Sequence, residues 1–373
     1  LYFVNELSGK MDIEEKINLI KREPTEEIIT EQELRELLKK NDHPIAYDGF
    51  EPSGLAPIHF GILRAIKLED MLNSGCRFKL LLADWHAWIN NKMQGDLEKI
   101  KKAGEYFIEV WRAAGIDTKK VEVVWASDIV KDPEYWKLVI KVAKKTTLKR
   151  MIRCLTIMGR NIDEISESSQ LFYPAMQVAD IFTLKADICQ LGMDQRRANI
   201  LAREVGPMLG FWKPVAVHHH MLIGLKGPSK IIHYDDDKKI SEEISYKMSK
   251  SKPETCLYVH DSEEEIKDKI KNAYCPAKII EDNPILEYTK YIIFRKKKSL
   301  LIERPQKFGG NVEYFSYEDL EKDFLNGKLH PQDLKNAVSI ALNEIIKPVR
   351  EYFEKNKKAR ALYEFVREQE ITR

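Results

Sequence analysis

Ile45-Ala46-Tyr47-Asp48-Gly49-Phe50 runs into Glu51-Pro52-Ser53-Gly54 and then into Pro57-Ile58-His59-Phe60-Gly61. Residues 45–47 read as a short buried strand, 48–54 as a loop rich in Gly and Pro, and 59–74 as a helix stopped at Gly75. The same alternation continues with a strand at 78–83, a long helix at 97–114 ending at Gly115, and a strand at 121–126. Strands separated by helices build a parallel sheet with crossover connections. The fold class expected is α/β: a Rossmann-like parallel sheet with an inserted helical region, followed by a mostly α-helical C-terminal domain.

Upstream, Ile13, Ile17 and Ile20 with intervening charges fit a short amphipathic helix ending near Pro24. Thr30 with Glu33 fits a capping box that opens a second helix through Leu34, Leu37 and Leu38. Downstream, 133–185 is mostly helical, and 186–191 and 214–217 are strand-like. The polar, lysine-rich stretch 226–252 has few apolar anchors and reads as a mobile loop. Helices follow at 263–274 and 331–347, with Pro348 expected to end or kink the second. The domains expected are an N-terminal helical extension (1–40), a Rossmann-like domain that includes the lysine-rich loop (41–252), and a helical domain (253–373). Met11-Asp12-Ile13 resembles a natural start, so residues 1–10 are read as an extension outside the fold.

Composition narrows the class. The 373 residues are 43% hydrophobic and 32% charged, with 61 basic side chains against 59 acidic, a net +2. That balance excludes a nucleic-acid binder acting by bulk charge and requires any such surface to be a local patch. No run approaches the ~18 apolar residues of a membrane span. Cys76, Cys154, Cys189, Cys256 and Cys275 are dispersed and form no Cys-x-x-Cys pair, which points to reduced thiols in the cytoplasm.

Four constellations carry chemistry. His59 and Gly61 stand at a strand-to-helix turn, where free backbone N–H groups and the helix dipole favour phosphate. Lys247-Met248-Ser249-Lys250-Ser251 places two lysines three apart in the polar loop, able to neutralise a departing pyrophosphate. Tyr173, Gln177 and Asp180 fall on one helical face among apolar neighbours, so the carboxylate needs a partner donor. Asp194, after Gly192 at another strand-to-helix turn, suits ribose hydroxyls, and Arg196 and Arg197 suit phosphate. His218-His219-His220 and Asp235-Asp236-Asp237 read as structural and solvated runs, with no metal site expected.

The order of these motifs resembles the class I aminoacyl-tRNA synthetases, in particular the tyrosyl enzymes of archaeal and eukaryotic type. Gly49–Gly54, Ala83-Asp84-Trp85-His86-Ala87, Lys307-Phe308-Gly309-Gly310 and His330-Pro331-Gln332-Asp333 resemble that family too, so the likeness runs from about Met11 to the C-terminus. It implies activation of L-tyrosine by ATP, with Mg²⁺ travelling on the nucleotide, and transfer to the 3′-terminal adenosine of tRNA(Tyr) by a homodimer. It implies tyrosine binding by Tyr47, Tyr173, Gln177, Asp180 and Gln195, with Tyr47 and Asp180 at the substrate hydroxyl. It implies ATP binding by Gly49, His59, Gly61, Asp194, Lys247, Met248, Ser249, Lys250 and Ser251, with His59, Lys247 and Lys250 catalytic. Phe308 and Asp333 would read the anticodon, Asp333 also being placed to cap its helix, and Lys296, Lys297, Lys298 and Lys335 would add backbone affinity. Ile62 stands where many members carry a second His or a Gln, leaving His59 and the backbone amides to face phosphate. A tryptophan enzyme on the same scaffold and a non-catalytic RNA-binding relative are the alternatives.

Overall fold

A computed structural model of the chain describes residues 11–160, 162–228, 231, 238–246, 248 and 253–369. Its centre is a six-stranded sheet in the order β1–β6–β5–β2–β3–β4. The strands are β1 (Thr25–Ile29), β2 (Ile45–Phe50), β3 (Arg77–Leu82), β4 (Val121–Trp125), β5 (Ile188–Gly192) and β6 (Val215–His219). β2 to β6 pair in parallel, and β1 alone runs antiparallel, along β6. Between β2 and β3 lies the helix Arg64–Asn73, and between β3 and β4 the helix Leu97–Ala113, as crossover connections require. Every residue of β5 and β6 is buried, which matches their continuous apolar character.

Local signals place the helices. Asp12 with Glu15 and Thr30 with Glu33 both form complete capping boxes, opening helices Ile13–Lys21 and Glu31–Lys40. Each cap of this type contributes ~1 kcal/mol. The first helix buries Ile17 and Ile20, the second Leu34 and Leu38. The fully buried Lys67 ammonium donates to the carbonyls of Leu19, Ile20 and Arg22 at 3.2, 2.7 and 3.2 Å, closing the end of the first helix. Burial, partly offset by Asp70, lowers the Lys67 pKa to about 7.

Three expectations are corrected. Residues 1–40 are not purely helical, because residues 25–29 form the edge strand β1; its carboxylates Glu26 and Glu27 pair with His220 and His218. The helix expected from His59 opens as a π-turn, His59–Leu63, before the α-helix begins at Arg64. The helix from Pro331 runs to Lys355 and so does not end at Pro348. Pro348 faces solvent while Ile346, Val349 and Phe353 are buried around it, and that packing holds the helix across the missing N–H.

The C-terminal region adds the helices Glu263–Lys271, Tyr317–Leu325, Pro331–Lys355 and Lys357–Arg367 and a hairpin of β7 (Leu300–Ile302) and β8 (Val312–Tyr314). It is fastened to the sheet domain by buried polar links. Arg295 Nη2 donates to both Asp70 oxygens at 2.8 and 2.9 Å, and Tyr352 Oη donates to Glu109 Oε2 at 2.6 Å. No described helix is long and apolar enough to cross a membrane.

Candidate active site

Helix Tyr173–Thr183 is buried from Tyr173 through Phe182, so the Asp180 carboxylate does need a partner within the protein or from a ligand. Tyr173, Gln177 and Asp180 point into the protein, beside Tyr47 of β2. Gln177 Nε2 donates to Gln195 Oε1 at 3.1 Å, and Gln195 Nε2 donates to the Ile157 carbonyl at 2.9 Å, which fixes both amides. Asp180 is 1% exposed and accepts from Tyr135 Oη at Oδ1, 2.9 Å away. Its Oδ2 lies 3.2 Å from His86 Nε2, but no donor meets that oxygen in hydrogen-bond geometry. Tyr47 Oη is likewise buried without a hydrogen-bond partner among the described residues. Burial drives the Tyr47 phenol far above its ordinary pKa, with Cys189, Asp180 and Asp48 adding to it. The Gln177 amide opposes that shift, although its Nε2 is given to Gln195. Burial disfavours the charged His86 imidazole, but Asp180, Glu51 and Asp84 outweigh it and raise its pKa.

Glu51 was quoted in a motif without a task, and the structure gives it one. Tyr173 Oη donates to its Oε1 at 2.6 Å, Asn90 Nδ2 to its two oxygens at 2.9 and 3.0 Å, and Lys92 Nζ stands 3.6 Å from Oε2. Arg160 Nε in turn holds Asn90 Oδ1 at 2.6 Å. The result is a fixed anion beside the phenol of Tyr173. The sequence signal available was a carboxylate in the loop after β2, on the C-terminal edge where ligands of such sheets bind.

On the other side of β2, a recess of about 270 Å³, including open solvent, is lined by His59, Leu63, Arg64, His219, His220, Met221, Leu222 and Met248. Met248, from the lysine-rich motif, is buried there, its N–H donating to the Leu222 carbonyl at 3.0 Å. Lys247, Ser249, Lys250, Ser251 and the run 235–237 lie outside the described residues. Residues 238–246, expected in a loop, form a helix, Lys238–Tyr246. Asp194 follows β5 in the turn before helix Arg196–Met208, as expected of a residue at that edge. A Cβ on Gly192 would stand 2.6 Å from Met221 Sδ and 2.7 Å from Asp194 Oδ1, so a side chain there would have to displace both of theirs. Gly49 is less confined, its nearest neighbours standing at 3.7–3.8 Å. Arg64 Nη1 bonds the buried Asp48 carboxylate at 3.0 and 3.1 Å. Burial pushes Asp48 up to about 7, against the pull of Arg64.

Three of the expectations for phosphate binding change. The N–H groups of Ile58, Phe60 and Gly61 are already given to the carbonyls of Leu257 and Pro57 at 2.7–3.0 Å, which removes them as phosphate donors. A Cβ at Gly61 would meet Val259 Cγ1 at 2.5 Å and Val110 Cγ1 at 3.1 Å, so close packing accounts for that glycine rather than ligand approach. Arg196, read as a phosphate group, is bidentate to Glu27 at 2.9–3.1 Å.

The three consecutive histidines have separate partners. His218 Nδ1 meets Glu27 at 2.8 Å, His219 Nδ1 meets Gln190 at 2.7 Å, and His220 lies between Glu26 (3.3 Å) and Glu287 (3.1 Å). Among the described residues no group of three His, Cys, Asp or Glu side chains is placed to hold a metal ion. Burial opposes the charge on His220, but Glu287 and Glu26 prevail and raise its pKa to about 10. A pKa raised on folding stabilises the fold fully below the unfolded value of about 6.5, and that stability is lost as pH rises towards 10. The melting temperature should therefore fall across that window by several degrees more in the native chain than in His220→Gln. Parallel melting curves in calorimetry would refute this.

At the far end of the molecule Phe308 is 60% exposed, beside Gly309 and Gly310 at φ +98° and +70°, a left-handed turn that only glycine adopts freely. The first-turn residue Asp333 is half-buried, and the capping expected of it belongs to His330, whose Nδ1 accepts from Gln332 N at 3.1 Å. Of the lysines expected to supply backbone affinity, Lys296 pairs with Glu69 at 3.3 Å, Lys297 with Glu344, and Lys335 donates to the Lys271 carbonyl at 3.0 Å.

A family model described as tRNA synthetases class I (W and Y) matches residues 39–347. A tyrosine–tRNA ligase of Thermococcus kodakarensis is 46% identical over 379 residues, covering 97% of this chain and 100% of that protein. A tyrosine–tRNA ligase of Sulfurisphaera tokodaii is 49% identical over 347 residues, covering 92% of this chain and 94% of that one. Among solved structures, tyrosyl-tRNA synthetase from Pyrococcus horikoshii complexed with L-tyrosine superposes with a TM-score of 0.88 at 42% identity, covering 95% of this chain and 100% of that one.

Proposed function

The chain belongs to the class I tRNA synthetases of the tryptophan and tyrosine type, and from that premise we infer that it is a tyrosine–tRNA ligase. It activates L-tyrosine with ATP and transfers the tyrosyl group to the 3′-terminal adenosine of tRNA(Tyr).

One observation carries the choice of amino acid: Tyr47 Oη and Asp180 Oδ2 are both buried and both without a hydrogen-bond partner among the described residues. A phenol satisfies both, donating its proton to the carboxylate and accepting from Tyr47. An indole N–H can only donate, and a phenyl ring offers nothing. Each buried polar group left unpaired costs ~1–3 kcal/mol, so the pair favours tyrosine over both aromatic rivals. At the other end of the substrate, Glu51, Tyr173, Gln177 and Gln195 receive the ammonium group. The carboxylate is already ionised and attacks the α-phosphorus directly, forming a new O–P bond as pyrophosphate leaves, and needs no side-chain base. A hydroxyl of the terminal adenosine then attacks the activated carbonyl and AMP departs.

His59, Lys247 and Lys250 face the phosphates, with Met248, Ser249 and Ser251 shaping that loop; Gly49 flanks the nucleotide, and Asp194 takes the ribose. Mg²⁺ is carried in on the polyphosphate, whose oxygens suit a hard cation. Residues 41–252 form the catalytic unit and 253–373 the anticodon unit. The chain acts as a homodimer in the cytoplasm. Dimerisation through the helices inserted between β4 and β5 is supported by exposed Ile140 and Leu148, and the cytoplasm by five free cysteines.

Charging of tRNA(Tyr) with labelled tyrosine tests the reading, and failure to charge it would overturn it. Phe308 stacks on an anticodon base and Asp333 accepts from the guanine edge, so Asp333→Ala should weaken charging at least tenfold, leave pyrophosphate exchange unchanged and blunt selection against first-position anticodon mutants. Loss of exchange and thermal stability together would make Asp333 structural.

A further inference from the structure

Two side chains without a task in the motif reading close on Asp180 from separate helices. Tyr135, on helix Pro133–Lys145, gives its single hydroxyl proton to Oδ1 at 2.9 Å, the Met176 carbonyl standing farther off at 3.4 Å. His86, on helix Asp84–Ile89, sets its Nε2 3.2 Å from Oδ2 and packs edge-on against the Tyr173 ring, centroids 4.8 Å apart. Tyr135 and His86 are each 2% exposed. A lone buried carboxylate is held in place by few forces, and swinging its plane by tens of degrees would turn its free lone pairs away from a ligand. Here Oδ1 is occupied and the His86 imidazole stands 3.2 Å from Oδ2. The carboxylate therefore has one remaining oxygen to offer and one orientation in which to offer it.

We propose that Tyr135 and His86 are positioning residues for hydroxyl recognition: together they fix the Asp180 carboxylate so that Oδ2 accepts the ring hydroxyl of the amino acid. The inference rests on the tyrosine reading above. It has a consequence that general destabilisation lacks, because only a substrate bearing the hydroxyl senses the carboxylate's orientation. The contact of His86 with Tyr173 also ties the hydroxyl end of the site to the ammonium end, where Tyr173 meets Glu51 at 2.6 Å.

The test is ATP–pyrophosphate exchange by the full chain with tyrosine and with phenylalanine, for the unsubstituted protein and for Tyr135→Phe, His86→Leu and His86→Gln. Tyr135→Phe and His86→Leu should each raise the KM for tyrosine about tenfold, keep kcat within about twofold and leave the KM for phenylalanine unchanged. His86→Gln, which keeps a polar side chain of similar reach beside Oδ2, should recover most of the loss. A KM that rises equally for both amino acids, or for neither, overturns the proposal, as does activity lost together with the thermal transition in Tyr135→Phe. An unsubstituted chain that exchanges no pyrophosphate with tyrosine overturns the ligase reading itself, and that arm is read before any variant.

Discussion

Asp180→Ala should lower kcat/KM for tyrosine in pyrophosphate exchange by ~100-fold or more while leaving activation of phenylalanine, however slow, unchanged or improved. The substrate hydroxyl loses a charged acceptor, a contribution of ~1.5–3 kcal/mol, and the truncation strands Tyr135 Oη, which gave its proton to Oδ1 at 2.9 Å. With phenylalanine there is no hydroxyl to lose, and removing the carboxylate relieves a buried charge. The isosteric Asp180→Asn should show a smaller loss of the same kind, since the amide oxygen still accepts. Discrimination between the two amino acids as in the native chain would exclude Asp180 as the hydroxyl acceptor.

Lys247→Ala and Lys250→Ala should each slow single-turnover adenylate formation by ~10²–10³ with little change in tyrosine affinity. Attack on the α-phosphorus moves negative charge onto the departing pyrophosphate, so an ammonium placed there interacts more strongly in the transition state than with bound ATP. The buried Met248 between them supports this placement, because it lines the same recess as His59 and is tied to Leu222 at 3.0 Å. Unchanged single-turnover rates in both variants would remove the loop from the mechanism.

The parts of this account legible in the sequence are those that local chemistry dictates. Helical spacing put Tyr173, Gln177 and Asp180 on one face, and the structure buries all three there. The Thr30–Glu33 capping box formed as its four-residue pattern requires. What was not legible depends on distant partners. Thr25-Glu26-Glu27-Ile28-Ile29 is too acidic for an edge strand until Arg196, 169 residues on, and His218, 191 residues on, neutralise Glu27. That environment holds Glu27 down at about 2: burial alone would raise its pKa, but His218 and Arg196 overcome it. Glu51 gained its task only when Tyr173, 122 residues away, met it. Tyr135 carried no motif at all, and its role follows from the way its helix packs on the helix that bears Asp180. Gly61 looked like an opening for a ligand, yet Val259, from the C-terminal region, fills that space.

The claim on which the rest depends is that this site selects a phenol by two buried groups, Tyr47 Oη and Asp180 Oδ2, that have no hydrogen-bond partner among the described residues. ATP–pyrophosphate exchange by the full chain, driven separately by tyrosine, phenylalanine and tryptophan, measures it directly. Exchange should be driven by tyrosine, with kcat/KM for phenylalanine roughly 10²–10⁴-fold lower from two unpaired groups at ~1–3 kcal/mol each, and tryptophan no better. Exchange driven as well by phenylalanine or tryptophan as by tyrosine would contradict the account.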